Sequence, residues 1–230
     1  MATYYDLSHV FDENTYHPFG FPTFKNRQHF VSHGCRHAIA TFSLHTSTHF
    51  DAPWHMVEDG KRLDEINVQD LIGPAVVIDI SRFYGIDTPP SRGITTEHLQ
   101  EGLKQTGYRI QKGDALVIYT GRAMQFQTDT SAYYRDYCTL SPEACRWIAD
   151  QSLRLVALDA PDLDFPSEYT QTPFSPANHR FLLSRGIYAI ENVGGQITEV
   201  LGRKVELIPA VLKVGGEYAS GAPVRLLARI

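Results

Sequence analysis

Three short apolar runs narrow the folds open to this chain: residues 74–80, 115–119 and 153–158. Such runs show no polar alternation and are bounded by turn residues, so each reads as a strand buried on both faces. Helical patterns fall between and after them. Residues 95–106 have Thr95 or Thr96 as an N-cap and Gly107 as a stop. Residues 141–151 open on Ser141-Pro142-Glu143, a capping residue, a first-turn proline and an early acid. Residues 176–184 carry His179 near their start and are stopped by Gly186. A shorter helix is expected within 63–72, and loops over 58–61 and 85–94. Further strands are expected at 4–10, 36–44 and 187–190, and at 206–214 and 223–230 as a hairpin through Gly215-Gly216. Residues 122–139 have no clear period and read as a surface excursion. Strands outnumber helices and the two interleave, so the expected class is α/β, a mixed β-sheet flanked by helices. At 230 residues the chain fits one domain over 1–230.

Charge and cysteine content exclude several classes. A net charge of −5 argues against a nucleic-acid partner. No apolar run approaches the roughly 20 residues that span a bilayer, so no membrane partner is expected. The N-terminus lacks the basic start and apolar run of a signal peptide. Cys35, Cys138 and Cys145 form neither zinc-finger spacing nor an even disulfide set, and a reducing cytoplasm is the natural location.

The histidines are unevenly spread, with eight of ten before residue 56. Residues 45–55 read His-Thr-Ser-Thr-His-Phe-Asp-Ala-Pro-Trp-His. Imidazoles and a carboxylate in so short a stretch suit a divalent metal such as zinc or manganese. A straight strand would separate His45 from Asp51 by roughly 20 Å, too far for one ion. A helix would pair His45 with His49 but point Asp51 elsewhere. Pro53 also opposes a continuing helix. A bent loop is therefore expected, delivered by the 36–44 strand. Upstream, residues 12–25 form an aromatic-rich loop punctuated by Pro18, Gly20 and Pro22. That loop either plugs the core or lines an apolar pocket. Asp159, Asp162 and Asp164 follow the third apolar run. Open α/β sheets often place ligands at such a strand end, although turn-forming and capping roles are the commoner use of such aspartates.

The 45–55 stretch resembles the H-x-G-T-H-x-D-x-P-x-H motif of the cyclase family of metal-dependent hydrolases, which includes bacterial kynurenine formamidases and isatin hydrolases. It departs from the motif at Ser47, where the family has a glycine free to take φ > 0. Residues 179–194 are similar to the family's second motif: a histidine opening a short helix, then Gly-Ile, then a strand ending in Glu-Asn. The resemblance implies a swivelling β/β/α domain. It implies that His45, His49 and Asp51 ligate one metal. Asp51 would bridge to a second ion held by His179 and Glu191. In a single-metal version His179 and Glu191 would support the site or contact substrate. It places His55 at the catalytic base/acid position. It favours the pocket-lining role for the aromatic loop, with His17, Phe19 and Phe21 as substrate contacts. It also implies a homodimer or higher homo-oligomer.

The function expected from this is hydrolysis of an amide bond in a small carbonyl compound. The substrate would be an aryl formamide such as N-formylkynurenine, or a cyclic amide such as isatin. A divalent ion, one or two per chain, would activate water, and His55 would move the proton. Two other readings use the same residues: a lactone or ester hydrolase or cyclase, and a non-catalytic binding protein stabilised by its metal.

Overall fold

The computed structural model describes residues 1–18, 20–84, 93–165 and 176–230. In chain order, β1 (Tyr4–Asp6) is followed by β2 (Thr23–Gln28), α1 (Phe30–His33), β3 (His37–Thr41) and β4 (His49–Asp51). Next come α2 (Val68–Leu71), β5 (Gly73–Asp79), α3 (Thr96–Thr106), β6 (Ala115–Tyr119), α4 (Thr130–Arg135) and α5 (Pro142–Asp150). The chain ends with β7 (Leu155–Leu158), α6 (Ala177–Leu183), β8 (Tyr188–Glu191), β9 (Lys204–Val211) and β10 (Gly221–Arg229). Single 3-10 turns punctuate the connections, including Pro53–His55 and Arg122–Gln125.

Eight strands form one mixed sheet in the order β1-β10-β4-β8-β7-β6-β5-β9, and β9 also pairs with β10. That last pairing curls the sheet back on itself like a barrel. Strands β5, β6, β7 and β8 run parallel, and the pairings of β4, β9 and β10 are antiparallel. The three apolar runs become β5, β6 and β7. Successive side chains alternate faces, and here both faces are covered. Val76, Ile78, Leu116, Ile118, Val156 and Leu158 face one core, which Leu99, Ile148 and Leu182 of the helices complete. Ala75, Val77, Val117, Leu155 and Ala157 face a second core inside the curled sheet.

The expected caps form where the residues allow. Thr95 caps α3 and Gly107 ends it at φ 69°, and Ser141 caps α5 by accepting from Ala144 N at 3.2 Å. At the far end of the sheet from the site, Arg154 donates to the carbonyls of Gly73, Pro74 and Gly113 at 2.6–2.9 Å. The hairpin expected near the C-terminus is β9–β10.

Two expectations change. The 122–139 segment is not a surface excursion. Tyr133 is fully buried and donates to Asn192 Oδ1 at 2.9 Å, and Tyr137 donates to the Asp164 carbonyl at 3.1 Å. It lacks a period because a 3-10 turn and a six-residue helix are each anchored by single aromatics rather than by a repeating face. The strand expected over 36–44 exists as β3, but it pairs with β2 in a separate two-stranded ribbon outside the main sheet. The strand that carries the site is β4. Most of the loop expected at 85–94 lies outside the described residues.

Candidate metal centre

β4 places His49 and Asp51 two residues apart, so both project from the same face of the sheet. Across the antiparallel pairing His49 faces Glu191, the last residue of β8. His45 enters from the preceding turn. Its close approach requires glycine at 221, where a Cβ would lie 2.4 Å from the Phe50 carbonyl and 2.8 Å from His45 Cε1. The 3-10 turn Pro53–His55 follows at once and swings His55 back so that its ring stacks on His45 at 4.0 Å. His179 arrives from the first turn of α6. The five expected donors thus meet at one end of β4 and β8, contributed by a turn, two strands and a helix.

Distances within the cluster are short. His45 Nδ1 lies 2.7 Å from Asp51 Oδ1. His49 Nε2 is 3.6 Å from Asp51 Oδ1 and 3.3 Å from Glu191 Oε2. His179 Nε2 is 3.0 Å from Glu191 Oε1 and 3.5 Å from Asp51 Oδ2. His49, Asp51, His179 and Glu191 are all buried.

Both deep histidines are held from behind. His49 Nδ1 donates to the Ser47 carbonyl at 2.9 Å, and His179 Nδ1 donates to Asp164 Oδ2 at 2.6 Å. An outer acceptor on one ring nitrogen fixes the tautomer and leaves the other free to ligate. In both residues the inward nitrogen is Nε2. Asp164 also accepts from Asn178 N at 2.6 Å, so one carboxylate starts α6 and orients its histidine.

Buried negative charge dominates the site. Burial opposes a charge on His49, yet the Asp51 and Glu191 carboxylates outweigh it and raise the imidazole to about 9. His179 is raised well above its ordinary value against the same opposition, by Glu191, Asp164 and Asp51. For Asp51, burial acts upward, but His49, His179 and His45 hold it well below the usual carboxylate range. A field that favours imidazolium also favours a bound cation.

The residues fit a metal. Asp51 Oδ2 is buried without a hydrogen-bond partner, an arrangement that costs about 1–3 kcal/mol unless something positive takes it up. Among the described residues, three donor sets have atoms within 4.8 Å of one another: His45, Asp51 and His55; His49, Asp51 and Glu191; Asp162, His179 and Glu191. They overlap through Asp51 and Glu191. Nitrogen and carboxylate oxygen are the ligands of zinc and manganese sites.

Of the aromatic-loop residues, His17 is buried, and burial together with His49 and His45 lowers it to about 4. Phe21 is exposed, with its ring edge-on to Tyr16 at 5.8 Å. Phe19 lies outside the described residues. The aspartate run resolves by position: Asp159 accepts from Thr120, Gly121 and Ala123, while Asp162 and Asp164 face His179.

Sequence reasoning did not find Ser220, whose Oγ is 3.0 Å from His45 Nε2. Nor did it find Asn192, which sits at φ 55° with Nδ2 3.5 Å from His49 Nδ1. Asn192 had one legible signal, its place directly after Glu191.

The family model described as a putative cyclase matches residues 5–165. The chain belongs to the cyclase family. Its relatives in this family include the kynurenine formamidases of Bacillus cereus strain ATCC 14579 and Bacillus mycoides strain KBAB4. They are 30% and 29% identical over 189 residues, covering 82% of this chain and 78% of each relative. Cyclase-family folds among solved structures include an isatin hydrolase bound to the product analogue thioisatinate. It has a TM-score of 0.86 and 21% identity, covering 100% of this chain and 92% of that one. A predicted metal-dependent hydrolase from Bacillus stearothermophilus has a TM-score of 0.74 and 24% identity, covering 100% and 98%.

Proposed function

We propose that this member of the cyclase family is a metal-dependent hydrolase that cleaves an amide bond in a small carbonyl compound, either an aryl formamide or a cyclic amide. The observation that carries the reading is the two outward-tethered histidines, His49 and His179, whose Nε2 atoms converge on Asp51 and Glu191. The kynurenine formamidases among its relatives support the amide class.

In this reading His45, His49, Asp51, His179 and Glu191 hold one or two divalent ions, zinc or manganese. Such an ion polarises a carbonyl oxygen and lowers the pKa of a water. The chain's own residues do the rest. His55 is the proton carrier. Burial and the neighbouring imidazoles lower it to about 3 against the pull of Asp51, so it rests neutral at pH 7 and holds a proton only in transit. It takes the proton of the attacking water and delivers it to the departing nitrogen as the C–N bond breaks. Its ring is fixed by the stack on His45. His17 lies on the substrate side, and the aromatic loop around Tyr16 and Phe21 borders the approach. The protein acts as a homodimer in the cytoplasm.

The test is a panel of N-formylkynurenine, isatin and simple lactones, assayed with wild type and His55→Ala. The reading expects hydrolysis of an amide substrate, and a His55→Ala protein that keeps its metal but loses at least about a hundredfold in turnover. Turnover confined to lactones would replace the amide assignment. Unchanged turnover of every substrate by His55→Ala would remove the proton-carrier role.

A further inference from the structure

The short helix α4 carries two adjacent tyrosines whose hydroxyls take different partners, one beside the metal centre and one in the aromatic loop. The Tyr133 hydroxyl is fully buried and donates to Asn192 Oδ1 at 2.9 Å. The Tyr134 hydroxyl donates to the Tyr16 carbonyl at 3.1 Å, and the two rings pack at 4.7 Å.

Asn192 is bonded from three sides. Its backbone N donates to the Ala160 carbonyl at 2.9 Å, its carbonyl accepts from Thr48 Oγ1 at 2.6 Å, and its side chain accepts from Tyr133. Nδ2 lies 3.5 Å from His49 Nδ1. Asn192 sits at φ 55°, a left-handed conformation that asparagine visits more readily than most residues and that surrounding bonds must hold in place. Thr48 directly precedes His49, and Asn192 directly follows Glu191. The Thr48–Asn192 bond therefore joins the chain beside one donor to the chain beside the other, and Tyr133 fixes the side chain at that junction. An outer group that holds a metal ligand in place governs affinity for the ion.

The second hydroxyl acts on the approach to the centre. Tyr16 directly precedes His17, which is buried near enough to His49 and His45 for both to lower it. A cavity of about 430 Å³ between the loop and α4 is lined by Tyr16, Phe21, Thr130 and Tyr134, so a ligand seated there touches both partners of the Tyr134–Tyr16 bond. Burial first and the Glu191 charge second push the Tyr134 phenol up, which keeps the donated proton on its oxygen. We propose that Tyr133 and Tyr134 are positioning residues for the hydrolysis: Tyr133 acts through Asn192 on Glu191 and His49, and Tyr134 acts through the Tyr16 carbonyl on the aromatic loop and His17. This deepens the metal-hydrolase reading and rests on it.

Two single-hydroxyl variants of the full chain test the two roles separately. Tyr133→Phe is expected to bind Co²⁺ about tenfold more weakly and to alter the visible spectrum of the bound ion. Tyr134→Phe is expected to leave Co²⁺ affinity and spectrum as in wild type. It is expected to raise KM for whichever amide wild type turns over by about three- to tenfold at unchanged kcat, and to speed hydrogen exchange at the amides of Thr15, Tyr16 and His17. Wild-type Co²⁺ binding by Tyr133→Phe overturns the inner role. Unchanged KM and unchanged exchange in Tyr134→Phe overturn the outer one. If Tyr133→Phe does not fold, Asn192→Gly suits the left-handed backbone and keeps the Thr48 bond while removing the acceptor. The same fall in Co²⁺ affinity is then expected, and wild-type affinity overturns the inner role. Wild type that binds Co²⁺ but hydrolyses no amide overturns the amide reading, and the Co²⁺ and exchange measurements still decide both roles. Wild type that binds no Co²⁺ overturns the metal reading and the inner role together.

Discussion

His49 and Glu191 stand directly opposite each other on β4 and β8, with Nε2 3.3 Å from Oε2. The register of two neighbouring strands therefore joins the early loop to the late motif, although 142 residues separate them in the chain. His49→Ala removes an inward nitrogen from the donor set it forms with Asp51 and Glu191. The variant is expected to lose both bound metal and turnover, measured by elemental analysis and a hydrolysis assay. Full retention of either contradicts the assignment.

Asp164 holds His179 from outside while starting α6. Asp164→Asn keeps the size and one acceptor oxygen but removes the charge that fixes the ring. Removing such an outer partner typically costs about 10–100-fold in metal affinity or activity. Titration with zinc against a competing chelator checks the affinity. A helix cap is also weakened, so thermal stability is expected to fall by about 1 kcal/mol.

Ser47 sits at φ 59°, in the left-handed region, and its buried Oγ has no hydrogen-bond partner. Ser47→Gly relieves both conditions while keeping the carbonyl that holds His49. The expected outcome is a gain of about 1 kcal/mol, after the larger unfolded-state entropy of glycine is set against it, with metal content unchanged. Denaturant unfolding measures it, and a clear loss of stability contradicts it.

His9 is stacked face to face on Phe126 at 3.8 Å, and burial lowers it to about 4 from 6.5. Its folded-state pKa is depressed, so the unfolded chain binds the proton more readily. Its stabilising contribution is complete above pH 6.5 and is lost as pH falls towards 4. The shift corresponds to on the order of 3 kcal/mol. His9→Phe keeps a ring against Phe126 and is expected to flatten the loss of stability over that window by a similar amount. An unchanged acid profile in chemical denaturation contradicts it.

Much of this was legible in the sequence, and for identifiable reasons. The runs that become β5, β6 and β7 are apolar on both faces because both faces are buried. Thr95, Gly107, Ser141 and Pro142 mark helix ends by chemistry that acts locally. The donors His45, His49 and Asp51 are close in sequence, which exposes them to a reading by spacing. The pairing of His45 with Ser220, by contrast, crosses 175 residues and depends on how β10 lies against β4. The burial of Tyr133 depends on where Asn192 ends up. No local pattern encodes either. The β3 strand was visible as a strand, but its separation from the main sheet is a matter of tertiary pairing, which a period of two does not specify.

The central claim is that buried Asp51 and Glu191, with the histidines aimed at them, hold a divalent ion that the reaction needs. The direct measurement is hydrolysis of N-formylkynurenine and isatin by chelator-dialysed protein, before and after stoichiometric zinc or manganese is returned. Turnover abolished by dialysis and restored by the metal is the predicted result. Full turnover by protein shown to be metal-free would contradict it.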